Sequence, residues 1–210
     1  MDQLPNAVSS LRELGLIDPE FHFSDIWAGK GEFGKLGLEQ RLGILRFMVH
    51  IFATYRFKVL VQTFDPENAA DILKRAAWPT NLGPLKFNDH EDLALIFALL
   101  RVRLHLKSLD GGNATACVVV DEGRLSNGKA IVFPGLAPTF VGGAVLFASS
   151  RLAHPIQLAD FAAFVMNRWQ LLRVKNNLRE LDKTFLEIVS PIVENFVNLE
   201  RLPLDSTLFR

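Results

Sequence analysis

Apolar side chains recur every three or four positions in some stretches of this chain and alternate with polar ones in others, and the two periods divide it into helices and strands. Val8, Leu11 and Leu14 predict a first helix from Leu4 to Leu14, stopped by Gly15. Phe21 and Phe23 alternate with polar neighbours, which predicts a half-buried strand over Glu20–Ile26, followed by a glycine loop from Gly29 to Gly37. Leu42, Leu45, Met48, Val49 and Phe52 then mark an amphipathic helix from Leu38 to about Tyr55. Phe57–Phe64 reads as a strand ending at Asp65-Pro66, and a short helix is expected over Glu67–Ala77.

Trp78–Asn88 contains Pro and Gly and is predicted to be a surface loop, after which Asp89 caps a helix from Glu91 to about Leu106. Ala116–Val120 is short, continuous and β-branched, the pattern of a strand covered on both faces, and it runs into Asp121-Glu122. Ala130 to Ser150 is uncharged over twenty-one residues, close to a membrane-spanning length. Pro134, Gly135, Pro138, Gly142 and Gly143 would break a helix there, so a loop leading into a strand at Ala144–Ala148 is expected instead, with no membrane span. Pro155 opens a largely buried helix through Ile156, Ala159, Phe161–Val165 and Trp169. A last helix, Leu178 to about Leu199, is expected to bend or break at Pro191. Helices alternating with strands, without repeats or clear linkers, predict a single α/β domain over 1–210.

Composition sharpens this picture in two ways. Seventeen Phe against one Tyr, in a chain that is 49% hydrophobic, point to a large aromatic core or to a surface buried in a homo-oligomer. Lys+Arg and Asp+Glu are both 23, so no global basic field attracts nucleic acid, and any such contact must be a local patch. A single cysteine, Cys117, and an N-terminus without a basic and apolar leader predict a cytoplasmic protein.

The candidate chemistry lies in the acids. Gly29, Gly31 and Gly34 spell G-x-G-x-x-G, but the preceding segment is polar and no acid stands about twenty residues on, where a ribose would need one. The five histidines are scattered, with no cysteine pair to make a zinc site, and Cys117 lies inside an apolar strand as an inert hydrophobe would. Asp65 and Asp121, by contrast, each sit where an apolar strand ends, and the carboxyl ends of parallel strands are where α/β sheets bind ligands. Asp160 interrupts an apolar helical face, where a carboxylate needs a partner, a metal or an outward orientation. Clustered carboxylates hold Mg²⁺ or Mn²⁺, which stabilise the attacking and leaving oxygens of a phosphodiester.

Three segments, His22-Phe23-Ser24-Asp25-Ile26-Trp27-Ala28-Gly29-Lys30-Gly31, Val119-Val120-Asp121-Glu122, and Phe147-Ala148-Ser149-Ser150 leading to Gln157-Leu158-Ala159-Asp160, resemble the domain-of-unknown-function 3800 family, in the family's order and over about 21–169. The resemblance implies an RNase H-like three-layer fold related to RuvC-type resolvases, with the helix at about 178–199 as an extension. It also implies a metal-dependent nuclease, a hydrolase of nucleic acid. Asp121, Asp160 and Asp65 would be catalytic, Asp121, Asp160 and Glu122 would hold Mg²⁺ or Mn²⁺, and His22, Asp25, Lys30 and Gln157 would be motif residues. The family's opening Asp-Glu-Ser-Gly strand has no counterpart here, which leaves the β-hairpin region incomplete. A fragment, a partner chain covering the sheet edge, or a non-catalytic protein retained for interaction and assembly would each account for that.

Overall fold

The computed structural model describes residues 20–61, 81–109 and 112–198. Its elements are α1 (Phe23–Ala28), a 3-10 turn (Gly31–Lys35), α2 (Leu38–Tyr55), β1 (Val59–Val61), β2 (Asn81–Leu82), β3 (Leu85–Lys86), α3 (His90–Ser108), β4 (Ala116–Asp121), β5 (Ala130–Val132), a second 3-10 turn (Pro134–Leu136), β6 (Phe140–Ala148), α4 (His154–Arg173), α5 (Glu180–Val193) and β7 (Phe196–Asn198). The architecture is mixed α/β, as expected from the alternating periods. The helix expected at Leu4–Leu14, the strand end at Asp65 and the helix at Glu67–Ala77 lie outside the described residues.

Two compact units divide the chain, the first taking residues 20–59 and 149–196 of the described set and the second taking the rest. Each has its own hydrophobic cluster, so the single expected domain contains two cores. In the first, the helices enclose an aromatic centre in which the Phe161 ring meets Phe23 edge-on at 4.8 Å and Phe52 at 5.2 Å. Trp27 and Phe164 both pack on Phe185, at 5.3 and 5.8 Å. Much of the phenylalanine excess is therefore core.

The second unit is built on a three-stranded sheet of order β4-β6-β5, with β6 parallel to β4 and antiparallel to β5. Ile131, Val145 and Phe147 face inward and cluster with Leu93, Ile96, Phe97 and Leu100 of α3. The short step from Ala116 to Val118 on β4 stands opposite the longer run from Phe140 to Val145 on β6. Gly142 and Gly143 absorb the excess with φ of 65° and 66°, a left-handed backbone that other residues resist. A Cβ on Gly143 would also lie 2.7 Å from the Phe133 carbonyl oxygen.

Several sequence expectations are corrected. Glu20–Ile26 is no strand, because Phe23 and Ile26, three apart and both fully buried, turn one face of a helix to the core. Trp78–Asn88 includes a small hairpin, β2 against β3, turning at Gly83-Pro84. Within Ala130–Ser150, the loop expectation gives way to β5 and an extended β6, since the glycines that would break a helix form a strand bulge. The final helix passes Pro191 only to Val193 and the chain becomes extended at Phe196. β4 is not covered on both faces, because every second residue is exposed, Cys117 and Val119 among them. The long helices α2, α3 and α4 fall where periodicity placed them, and no helix among the described residues is long and apolar enough to cross a membrane.

Candidate functional site

Short helices leave most of their backbone donors and acceptors unpaired, and α1 has only six residues. Side chains from distant parts of the first unit supply the missing partners. At its N-terminal end the Phe23 amide donates to Asp160 Oδ2 of α4 at 3.1 Å. At its C-terminal end Gly29 adopts φ 63°, and the Gly29 and Lys30 amides donate back to the Ile26 and Asp25 carbonyls at 3.3 and 2.9 Å. The Arg41 guanidinium of α2 closes that end, Nη1 donating to the Trp27 and Ile26 carbonyls at 2.7 and 3.2 Å.

This accounts for much of the His22–Gly31 motif. Gly29 supplies the left-handed cap, and a Cβ there would come within 2.8 Å of Arg41 Nη1. Asp25 and Lys30 contribute backbone groups to the same cap, and Gly31 is the second left-handed glycine, φ 56°. Gly29 thus acts as the helix stop, and Gly31 and Gly34 belong to the 3-10 turn that follows.

A polar cluster continues from the N-terminal side of α1. Glu20 accepts a hydrogen bond from the Ser150 hydroxyl, pairs with Arg151 Nε at 3.2 Å and lies 3.5 Å from His22 Nε2. Buried Gln157 donates through Nε2 to the Ser150 carbonyl at 2.9 Å. His22, Ser150 and Gln157, which come from separate sequence motifs, are therefore joined in one network of the first unit, and Asp160 meets the His22 motif separately, through the Phe23 amide. Glu20 and Arg151 are members that sequence reasoning missed. Their only signal was adjacency to the motifs, since the ion pair spans 131 positions.

Asp121 and Glu122 belong to the second unit. Asp121 is exposed at the end of β4, beside Ala148 of parallel β6, and its Oδ1 accepts the Glu122 amide at 3.0 Å. In the same unit Arg124 pairs with Asp89, with Glu91 Oε2 at 3.0 Å and with Asp92 Oδ1 at 3.2 Å. Asp89 caps α3 as expected, and the Asp92 amide does most to hold its carboxyl below the usual range. Asp65 lies outside the described residues.

The Mg²⁺ or Mn²⁺ implied by the resemblance needs several oxygen donors converging on one point. Asp160 Oδ2 and Asp121 Oδ1 are each engaged by a backbone amide, in different units. Among the described residues no group of three or more His, Cys, Asp or Glu side chains is placed to hold an ion, so these donors do not by themselves fit the metal.

No protein-family model matches the chain, no curated protein is similar to it at a significant level, and no solved structure matches it. The resemblance rests on the motif residues alone.

A capping carboxylate contributes about 1 kcal/mol, and amide oxygens cap nearly as well. Asp160→Ala should therefore lower the unfolding free energy by about that amount, while Asp160→Asn should stay within a few tenths of wild type. Urea unfolding of both variants checks this, and an Asn variant as damaged as the Ala variant would show that the charge matters beyond the cap.

Proposed function

We propose that the chain is an RNase H-like domain of metal-nuclease descent that binds nucleic-acid phosphodiesters and hydrolyses them weakly or not at all. The observation that carries this reading is the engagement of Asp160. The acid most strongly tied to the family motif holds the N-terminal end of α1, and Gln157 beside it fixes the Ser150 segment, so both have folding roles that persist without catalysis. Asp121, exposed at the carboxyl end of a parallel strand, supports a ligand-facing edge on the second unit.

The test is fluorescence anisotropy with labelled single-stranded and duplex oligonucleotides in EDTA, across a salt series. Binding that weakens linearly in log salt is expected, because phosphate contacts release counterions. Absence of binding to every oligonucleotide at 50 µM protein in low salt would overturn the proposal.

A second reading, an interaction and assembly protein, is favoured by the outward face of the sheet. Val119 and its cross-strand neighbour Leu146 are 43% and 41% exposed, and Val132 on β5 is 60% exposed. Sedimentation distinguishes the two readings: a concentration-dependent oligomer abolished by Val119→Lys would support assembly through this face.

A further inference from the structure

The two edges of the β4-β6-β5 sheet are unlike. β5 is only three residues long, with Lys129 just before it and Pro134 shortly after, features by which proteins keep an edge strand from pairing further. β4 has six residues and none of these guards, since the sequence from Gly111 to Val120 holds no charge and no proline. Among the described residues no strand pairs with its second edge.

The bonds to β6 fix which backbone groups that edge presents. The Ala116 amide donates to the Thr139 carbonyl at 3.0 Å, whereas Phe147 of β6 turns its amide the other way, to the Lys129 carbonyl at 2.8 Å. Backbone groups alternate in direction along a strand, so those of Ala116, Val118 and Val120 face β6, and the N–H and C=O of Cys117, Val119 and Asp121 point to the open edge. The same three residues have the exposed side chains.

Such an edge takes an extended segment with an uncharged centre and apolar side chains at alternate positions of the outward face. β4 is itself such a segment. An antiparallel pairing about a twofold axis at Val119 sets Val119 opposite the partner's Val119 and Cys117 opposite the partner's Asp121. Directly opposed residues point to the same face of a sheet, so the outward faces of the two copies coincide, and the three opposed pairs exchange about six backbone hydrogen bonds. The two Asp121 carboxylates stand at opposite ends of the pairing, where no like charges meet. Val119 and its neighbour Leu146 on β6 are both exposed, so the join extends one apolar row across both copies.

We propose that two copies of this chain associate by antiparallel pairing of β4 with β4 into one continuous sheet. A twofold dimer is the commonest closed assembly of a single chain, and this one closes, because only the guarded β5 edges remain outside. The proposal rests on the assembly reading above and gives that reading its partner and its register.

The experiment combines oxidation by the thiol oxidant diamide, read on non-reducing gels, with sedimentation velocity of the full chain. Opposed residues of a hydrogen-bonded antiparallel pair have Cα atoms about 5.5 Å apart, within reach of a disulfide. Cys117 and the partner's Cys117 are offset by four positions, roughly 14 Å along the strands, and are out of reach. Cys117→Ser/Val119→Cys should therefore form a covalent dimer roughly tenfold faster than wild type or more. Val119→Pro removes the central donor of the edge and keeps the bonds to β6, so it should sediment as a monomer where wild type is a dimer. Val132→Lys, on the far strand, should leave the dimer intact, and circular dichroism checks folding. Should Val119→Pro fail to fold, the cross-linking comparison decides alone. A wild type that is monomeric at every concentration overturns both the pairing and the assembly reading. A dimer abolished by Val132→Lys, without faster cross-linking at position 119, joins the sheet faces instead, which overturns the edge pairing and leaves the assembly reading standing. Wild-type Cys117 cross-linking as fast as the variant would overturn the proposed register.

Discussion

Phe161→Ala should destabilise the protein by about 3–5 kcal/mol, an appreciable part of the stability of an ordinary domain. Phe161 is fully buried at the point where α1, α2 and α4 meet, with its ring against both Phe23 and Phe52. Truncation removes both aromatic contacts and leaves a cavity lined by rigid rings, which collapse poorly onto empty space. The cluster also contains Met48 and Val165, both fully buried. Urea unfolding monitored by far-ultraviolet circular dichroism measures the change. A loss below 1 kcal/mol would mean that Phe161 does not occupy the centre of this core.

The second large effect is electrostatic. Asp182 is buried near the start of α5, where it accepts hydrogen bonds from Arg168 Nη2, Lys175 Nζ and the Arg179 amide, the last at 3.2 Å. The hydrogen bond from Lys175 does most to hold its carboxyl below the usual range, and the Arg179 amide and the charges of Lys175 and Arg168 act in the same direction against burial. Asp182→Asn retains an acceptor for the amide but removes the counter-charge of Arg168, whose guanidinium lies 4.1 Å from the Trp27 ring and 5.3 Å from that of Phe185. Burial already lowers the pKa of that arginine, so loss of its carboxylate leaves a poorly solvated cation.

The melting temperature should therefore fall by several degrees at pH 7. The pH dependence has a definite sign. A carboxyl whose folded pKa lies below its unfolded value of about 3.9 stabilises the fold above that value, and the contribution is lost as pH falls through the folded pKa. The wild type should lose stability below about pH 4 more steeply than Asp182→Asn, so that the two melting curves converge in acid. Thermal melts between pH 7 and pH 2.5 decide this, and parallel curves would show that Asp182 is not ionised in the native state.

The long helices could be read from the sequence because their signals are local. Leu42 to Phe52 repeat over three turns, and Asp89 caps α3 through amides only two and three positions away. The glycines of β6 and the α1 motif could not be read in this way. Gly142 and Gly143 are helix breakers by composition, and only the pairing of β6 with two neighbours makes them a strand bulge. Phe21 and Phe23 fit a strand period until Ile26 and Trp27 are counted, and the Asp160 cap and Arg41 clamp that fix α1 come from positions 137 and 14 residues away. Asp160 was legible as an acid that needs a partner, a metal or an outward orientation, and it is exposed with one backbone partner. That the partner is a backbone amide was not legible, because a carboxylate in an apolar helix face reads alike for a cap and for a metal ligand.

The most direct test of this account is a cleavage assay on the 210-residue chain and its Asp160→Asn variant, with labelled single- and double-stranded DNA and RNA, in 5 mM Mg²⁺ and in 5 mM Mn²⁺. The account predicts binding with little metal-dependent cleavage, unchanged by the substitution. Robust cleavage by the wild type that Asp160→Asn abolishes would contradict it, and would make Asp160 a catalytic ligand whose hydrogen bond to Phe23 is incidental.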